Sequence, residues 1–180
     1  PEEFLVRKKQ HGGGELLDHI STAECSRMAG AFLDMGVCMT SLKSGHRGYY
    51  FRTADASTFT RMGAVRPGEP ENWSGRELWC PAFRPTRIAS ATGSGDSSIA
   101  GFLAAFLRGM SLEDCLRTAN CAGYQNLHAL DAVSGIRSWA ETVDMLAKDG
   151  LTIIDPCVEG EGWRRHPSRM MWIGPNDKAA

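Results

Sequence analysis

The sequence predicts an α/β fold in layers, with helices packed on a small sheet. Three observations predict it. An amphipathic helical pattern fills the chain up to Gly36, two β-rich runs flank a glycine-punctuated turn, and three helical segments follow Gly93. At 180 residues the chain has the length of one domain with one core.

The elements follow in order. Gly12-Gly13-Gly14 breaks the first helical region. After it Leu16, Leu17, Ile20, Ala23, Met28, Ala29, Phe32 and Leu33 recur at three- and four-residue steps and stop at Gly36. Val37-Cys38-Met39-Thr40-Ser41-Leu42 is an apolar run that reads as a buried strand. Lys43-Ser44-Gly45-His46-Arg47-Gly48 is a turn, and Tyr49-Tyr50-Phe51-Arg52 is a second strand. Residues 53–76 are polar and irregular, with Pro67, Gly68, Pro70 and Gly75 marking a loop or insertion. Strand character resumes over Glu77-Leu78-Trp79-Cys80-Pro81-Ala82-Phe83, and Pro81 argues for an edge or an end. A helix is expected from about Asp96 to Leu107, closed by Gly109. Ser111 with Asp114, and Ser138 with Glu141, have the spacing of capping boxes that start two more helices, the first running to about Leu130 and the second to near Gly150. Leu151-Thr152-Ile153-Ile154 has the composition of a final strand. Residues 156–180 carry Trp163, Trp172 and many charges without a periodicity that assigns them. The organisation expected is residues 1–155 as one unit and 156–180 as an extension.

Composition excludes several classes. The hydrophobic fraction is 42% and the mean hydropathy is -0.27, as in globular proteins. The apolar run from Ile99 to Leu107 is far short of the ~20 residues of a membrane span. Pro1-Glu2-Glu3-Phe4-Leu5-Val6 is no secretory leader, so a cytoplasmic location is expected. Net charge is -1, from 20 basic and 21 acidic residues, which gives no footprint for nucleic acid. The cysteines at 25, 38, 80, 115, 121 and 157 form no Cys-x-x-Cys pair and no zinc spacing with the five scattered histidines. They read as reduced core residues.

The chemistry concentrates at Thr92-Gly93-Ser94-Gly95-Asp96, between a strand and an apolar helix. Two glycines let the backbone turn its N–H groups toward one point. The helix adds its unpaired first-turn amides and the positive end of its dipole. Together they make a receptor for an anion such as phosphate. Asp96 stands at its end, where a carboxylate can take a proton from an attacking hydroxyl. The same five residues also suit a tight turn with a capping aspartate. No Gly-x-x-x-x-Gly-Lys-Ser/Thr and no third dinucleotide-fingerprint glycine is present.

Ala91-Thr92-Gly93-Ser94-Gly95-Asp96-Ser97-Ser98-Ile99-Ala100-Gly101-Phe102-Leu103 resembles the second signature of the PfkB/ribokinase-type carbohydrate kinases. More segments agree in order. Lys43-Ser44-Gly45-His46-Arg47-Gly48 resembles the family's Lys-x-Gly-x-x-Gly turn, and Ala119-Asn120-Cys121-Ala122-Gly123 its Ala-Asn-Ala-Ala-Gly helix. Leu107 through Asp114 resembles its helix–turn–helix, and Pro1-Glu2-Glu3 the remnant of its Asn-x-x-Glu segment. The likeness covers about residues 1–150. It implies the C-terminal, nucleotide-binding half of a ribokinase-like three-layer α/β/α sandwich.

The resemblance implies ATP-dependent phosphorylation of a sugar hydroxyl, or of a nucleoside in a variant of the same class. Asp96 would be the catalytic base, and the amides of Gly93, Ser94 and Gly95 the anion hole. Lys43, Gly45, Gly48, Asn120 and Gly135 would bind nucleotide, and Glu3 would join the magnesium–phosphate network. The cofactors implied are ATP and Mg2+, with no nucleic-acid or membrane partner, and the full-length protein has room for a homodimer. Ser90 stands where many members carry the first aspartate of the signature, a residue linked to potassium (K+). The resemblance therefore does not carry a potassium requirement over to this chain. Ser94 replaces the usual alanine, and residues 59–75 look inserted. The family's N-terminal sugar-binding half has no counterpart here, so weak sugar binding is expected of this chain. The alternative readings are a non-catalytic nucleotide-binding or regulatory module, and a fragment whose glycines only shape a turn.

Overall fold

Ser21 begins the first long helix by accepting from the Glu24 amide, while the Glu24 carboxylate accepts from the Ser21 amide, a reciprocal cap. This helix, α2 (Thr22–Asp34), follows α1 (Glu2–Gln10) and a 3-10 turn at Leu16–His19. The computed structural model describes residues 2–10, 15–148 and 150–178. The break expected at Gly12-Gly13-Gly14 lies outside those residues, as does Pro1.

Five strands form one sheet in the order β1-β2-β3-β5-β4: β1 (Met39–Lys43), β2 (Tyr49–Thr53), β3 (Glu77–Cys80), β4 (Arg164–Arg165) and β5 (Trp172–Ile173). Every neighbouring pair is antiparallel. Tyr50 lies opposite Leu42 on one side and Trp79 on the other. The expected strand at residues 37–42 is present, shifted to Met39–Lys43. It is only partly buried: it forms the sheet's edge, and Ser41 and Lys43 are exposed.

Alternation along β2 and β3 builds two cores. Tyr49, Phe51, Leu78 and Cys80 face one side, where Trp73, Ala105, Phe106, Leu112, Leu116 and Ala119 complete a buried cluster. Tyr50 and Trp79 face the other, against Cys25 and Ala29 of α2 and the rings of Trp163 and Trp172. Burying one such large side chain contributes about 1.5–3 kcal/mol. The first face is covered by α5 (Ser94–Phe106) and α6 (Leu112–Asn126), with α7 (Trp139–Ala147) outside α6. The second is covered by α2 and the C-terminal segment. The result is helix, sheet and helix-plus-tail in three layers.

Several expectations change here. Met28 and Phe32, on the periodic face of α2, are exposed, because the small residues Cys25 and Ala29 are the ones that meet the sheet. Residues 151–154 make no strand: Ile153 forms an isolated bridge with Phe83, beyond the end of β3. The 53–76 stretch holds two one-turn helices, α3 (Ala56–Phe59) and α4 (Pro70–Trp73), and puts Trp73 in the core.

The C-terminal segment adds a second edge to the sheet through β5, which pairs with β3. Its anchors are polar. Arg76 Nε donates to Asp177 Oδ2 at 3.0 Å, Arg76 Nη2 pairs with Glu113 Oε1 at 2.8 Å, and Arg76 Nη1 donates to the Asn72 carbonyl at 2.6 Å. Glu77 is fully buried and accepts from the Tyr50 hydroxyl and from the Asn176 backbone and side-chain amides. Burial would raise the Glu113 carboxyl, but the Asn72 amide and the Arg76 guanidinium hold it below its usual value.

Candidate active site

The turn that enters α5 is closed by local polar groups. Ser90 Oγ accepts from the Thr92 amide at 3.1 Å, and the Ser94 amide and hydroxyl both donate to the Ala91 carbonyl. Gly93 is the N-cap, with φ +74°, in the left-handed region that glycine enters without strain. A Cβ at Gly93 would also overlap the backbone of Ala132, so only glycine lets the two loops touch.

The first intrahelical bond runs from the Ser97 amide to the Gly93 carbonyl at 2.8 Å. Among the described residues, the amides of Gly93, Gly95 and Asp96 have no protein acceptor. Of the three residues expected to form the anion hole, Ser94 is therefore the exception, since its amide closes the turn at 3.2 Å. Asp96, one position further on, contributes an unclaimed amide instead. The Asp96 side chain is exposed, in the first turn of a 13-residue helix. A carboxylate there stabilises the helix by about 0.3–1 kcal/mol through the dipole, whatever else it does.

Lys43, at the end of β1, reaches the same point. A Cβ built on Gly95 would lie 3.0 Å from Lys43 Nζ. The Lys43 ammonium thus lies beside Gly95 in the first turn of α5, the turn that also carries the exposed Asp96. A cation and a helix N-terminus side by side suit a polyphosphate.

The other predicted residues sit as follows. Gly48, at φ +91°, lies against the carbonyl of Cys80 and the amide of Ala82, where any Cβ would overlap backbone. Asn120 meets the same segment: it is buried, and its amide donates to the Cys80 carbonyl at 3.0 Å and the Pro81 carbonyl at 2.9 Å. Both residues fix the end of β3. Gly45 packs on Leu17 Cδ1 in the 3-10 turn Gly45–Arg47. Gly135 lies against the Asn126 Cα and the Gln125 carbonyl, each 2.7 Å from where its Cβ would be. It lines a pocket of about 560 Å³ with Tyr124, His128, Ile136, Arg137 and Glu141. Glu3 is exposed on α1, which packs chiefly against the turn at Leu16–His19. Of the predicted residues, the structure brings Lys43 to the 93–95 turn, at Gly95, one position before Asp96.

Asn126 belongs to the same neighbourhood and escaped the sequence reading. It ends α6, where an asparagine reads as an ordinary helix terminus. Its side chain is fully buried and donates to the Thr92 carbonyl at 2.9 Å.

Burial pushes Cys80 up to about 12, against the Asn120 amide that lowers it, and pushes Cys115 up to about 12 and Cys121 to about 11. All six cysteines are free. Among the described residues no group of three or more His, Cys, Asp or Glu side chains could hold a metal ion.

The model of one family, described as pfkB family carbohydrate kinase, matches residues 14–137, more than half of the chain. The chain belongs to the pfkB family of carbohydrate kinases. Its fold is that of part of the ribokinase-like sandwich. A candidate sugar kinase from Clostridium perfringens is similar to it with a TM-score of 0.52 and 14% identity over 74% of this chain and 37% of that one. A candidate phosphofructokinase from Staphylococcus aureus is similar with a TM-score of 0.50 and 14% identity over 80% of this chain and 36% of that one. The pfkB-family chain thus spans little more than a third of the length of these two structures. The family match includes the cradle, Lys43, Asn126 and Gly135; Glu3 and the C-terminal segment lie outside it. Among the described residues no helix is long and apolar enough to cross a membrane.

Proposed function

We propose that the chain carries the phosphoryl-transfer centre of an ATP-dependent carbohydrate kinase. One observation supports the reading: the Lys43 ammonium lies beside Gly95 in the first turn of α5, which carries the exposed Asp96 and, among the described residues, amides at Gly95 and Asp96 without a protein acceptor. In the reaction the sugar hydroxyl attacks the terminal phosphorus of ATP, the bond to the bridging oxygen breaks, and ADP leaves. The Asp96 carboxylate takes the hydroxyl proton. The amides of Gly93, Gly95 and Asp96, with Lys43, hold the charge on the transferring oxygens. Magnesium would arrive on the nucleotide's phosphates and neutralise part of their charge. That route suits a chain whose described residues gather no metal-binding cluster.

A second reading has its own support. The chain matches little more than a third of the two sugar-kinase-like structures, and the Asp96 face of α5 is open, with Ile99, Leu103 and Leu107 exposed. On that reading the chain binds nucleotide without turning it over. Calorimetry with MgATP, joined to a turnover assay against a panel of sugars, separates the two. The kinase reading predicts sugar-dependent turnover that Asp96→Asn lowers by a factor of about 10²–10⁴ with nucleotide affinity retained. Turnover undiminished in Asp96→Asn dismisses the base, and nucleotide binding with no turnover for any sugar favours the second reading.

A further inference from the structure

We propose that Asn126 is a positioning residue: its side chain ties the phosphate cradle and the 131–135 loop into one preorganised unit. The inference rests on the phosphate-binding reading of the cradle but stands on separate contacts. The Asn126 amide donates to the Thr92 carbonyl at 2.9 Å and, more weakly, to the Asp131 carbonyl at 3.4 Å. Those two carbonyls belong to different loops, and the two loops touch where Gly93 meets Ala132. Gly135 closes over the Asn126 Cα, which keeps the side chain out of water.

The rest of the second loop is ordered from the same point. Asp131 Oδ1 accepts from the Val133 amide at 2.9 Å and the Ser134 amide at 2.7 Å. Those donors, Ser134 first, hold the Asp131 carboxyl below its usual value. Ser97, in the first turn of α5, lies within 3.5 Å of the Ala132 carbonyl. The chain of contacts runs from the α6 terminus through both loops to the helix that presents Asp96.

The other atom of the amide makes the argument sharper. Among the described residues, Asn126 Oδ1 is buried and has no protein donor. An orphan acceptor destabilises a core, and an apolar residue would remove that cost. Packing alone does not call for asparagine at this position; the donor half of the amide is what an apolar residue lacks. Preorganised supports of this kind keep a binding constellation within the narrow range that affinity needs.

The test compares Asn126→Leu and Asn126→Asp with the parent chain, and with Leu116→Ala, a core substitution on the sheet-facing side of α6, as the stability control. Amide exchange is followed by NMR without ligand, and the MgATP dissociation constant is measured below the unfolding range of every variant. In both Asn126 variants the Val133 and Ser134 amides should exchange at least tenfold faster, and the Gly93 and Gly95 resonances should move. Leu116→Ala should leave those signals in place. MgATP affinity should fall about tenfold or more in the Asn126 variants and hold in the control. Parent-like exchange and resonance positions in Asn126→Leu and Asn126→Asp overturn the proposal, as does a control that reproduces the same local changes. Should the parent chain take up no MgATP, the kinase reading fails on its own, while the exchange data still decide the role of Asn126.

Discussion

Two polar centres divide this molecule, and they are built on opposite principles. Around Arg76 each guanidinium nitrogen has an acceptor: Asp177, Asn72 and Glu113. Neighbouring Glu77 accepts from Tyr50 and Asn176. At the first turn of α5 the reverse holds. Among the described residues the amides of Gly93, Gly95 and Asp96 go unclaimed, and Asp96 is exposed. The difference is one of purpose. Saturated, buried polarity holds the C-terminal segment on β3, whereas unsaturated, exposed polarity is available to a ligand.

The comparison breaks most visibly at the clamp. Arg76→Ala removes the guanidinium that the buried Glu113 and Asp177 carboxylates share, and should cost about 3–5 kcal/mol in urea unfolding. A loss below about 1 kcal/mol would show that the clamp is not what holds the tail. At the cradle, Lys43→Ala should weaken MgATP binding by about 10–100-fold, the worth of a charge-assisted contact, and leave the melting temperature near the parent value. A melting temperature that falls while affinity holds would give Lys43 a structural role.

Acid sharpens the contrast further. The Glu113 carboxyl is depressed in the fold relative to its ordinary value of 4.5. Between the two values the unfolded chain binds more protons, so this contribution is fully present above about pH 4.5 and is lost as pH falls below it. Urea midpoints measured downward from pH 6 should drop through that window in the parent and drop less in Glu113→Gln. The smallest effect belongs to the open face of α5. Leu103 is 49% exposed, so Leu103→Glu should change stability by no more than about 0.5 kcal/mol. A large loss would mean that this face is covered.

Local signals made much of the fold legible. Ser111 and Ser138 start α6 and α7 as their spacing with Asp114 and Glu141 foretold. The turn Lys43–Gly48 separates two strands, and α5 begins within two residues of its expected start. Long-range pairing was not legible. Nothing near Trp172 announces that it pairs with Trp79, more than ninety positions away. The edge position of β1 was hidden for a related reason, since an apolar run reports burial but not which strands lie beside it.

The candidate site divides the same way. The turn at Gly93 that starts α5 was legible because glycine spacing before a helix has a direct backbone consequence. The bond from the Ser94 amide was not legible, because it belongs to a turn that closes on the Ala91 carbonyl. Asn126 stayed hidden because its meaning lies in Thr92, 34 residues away.

The most direct test of the central claim is an amide NMR titration of the 180-residue chain with MgATP. Saturable movement of the Gly95 and Asp96 amide resonances, with smaller shifts at the clamp residues Arg76 and Glu77, is the predicted result. Resonances at Gly93, Gly95 and Asp96 that stay fixed at millimolar MgATP would contradict it.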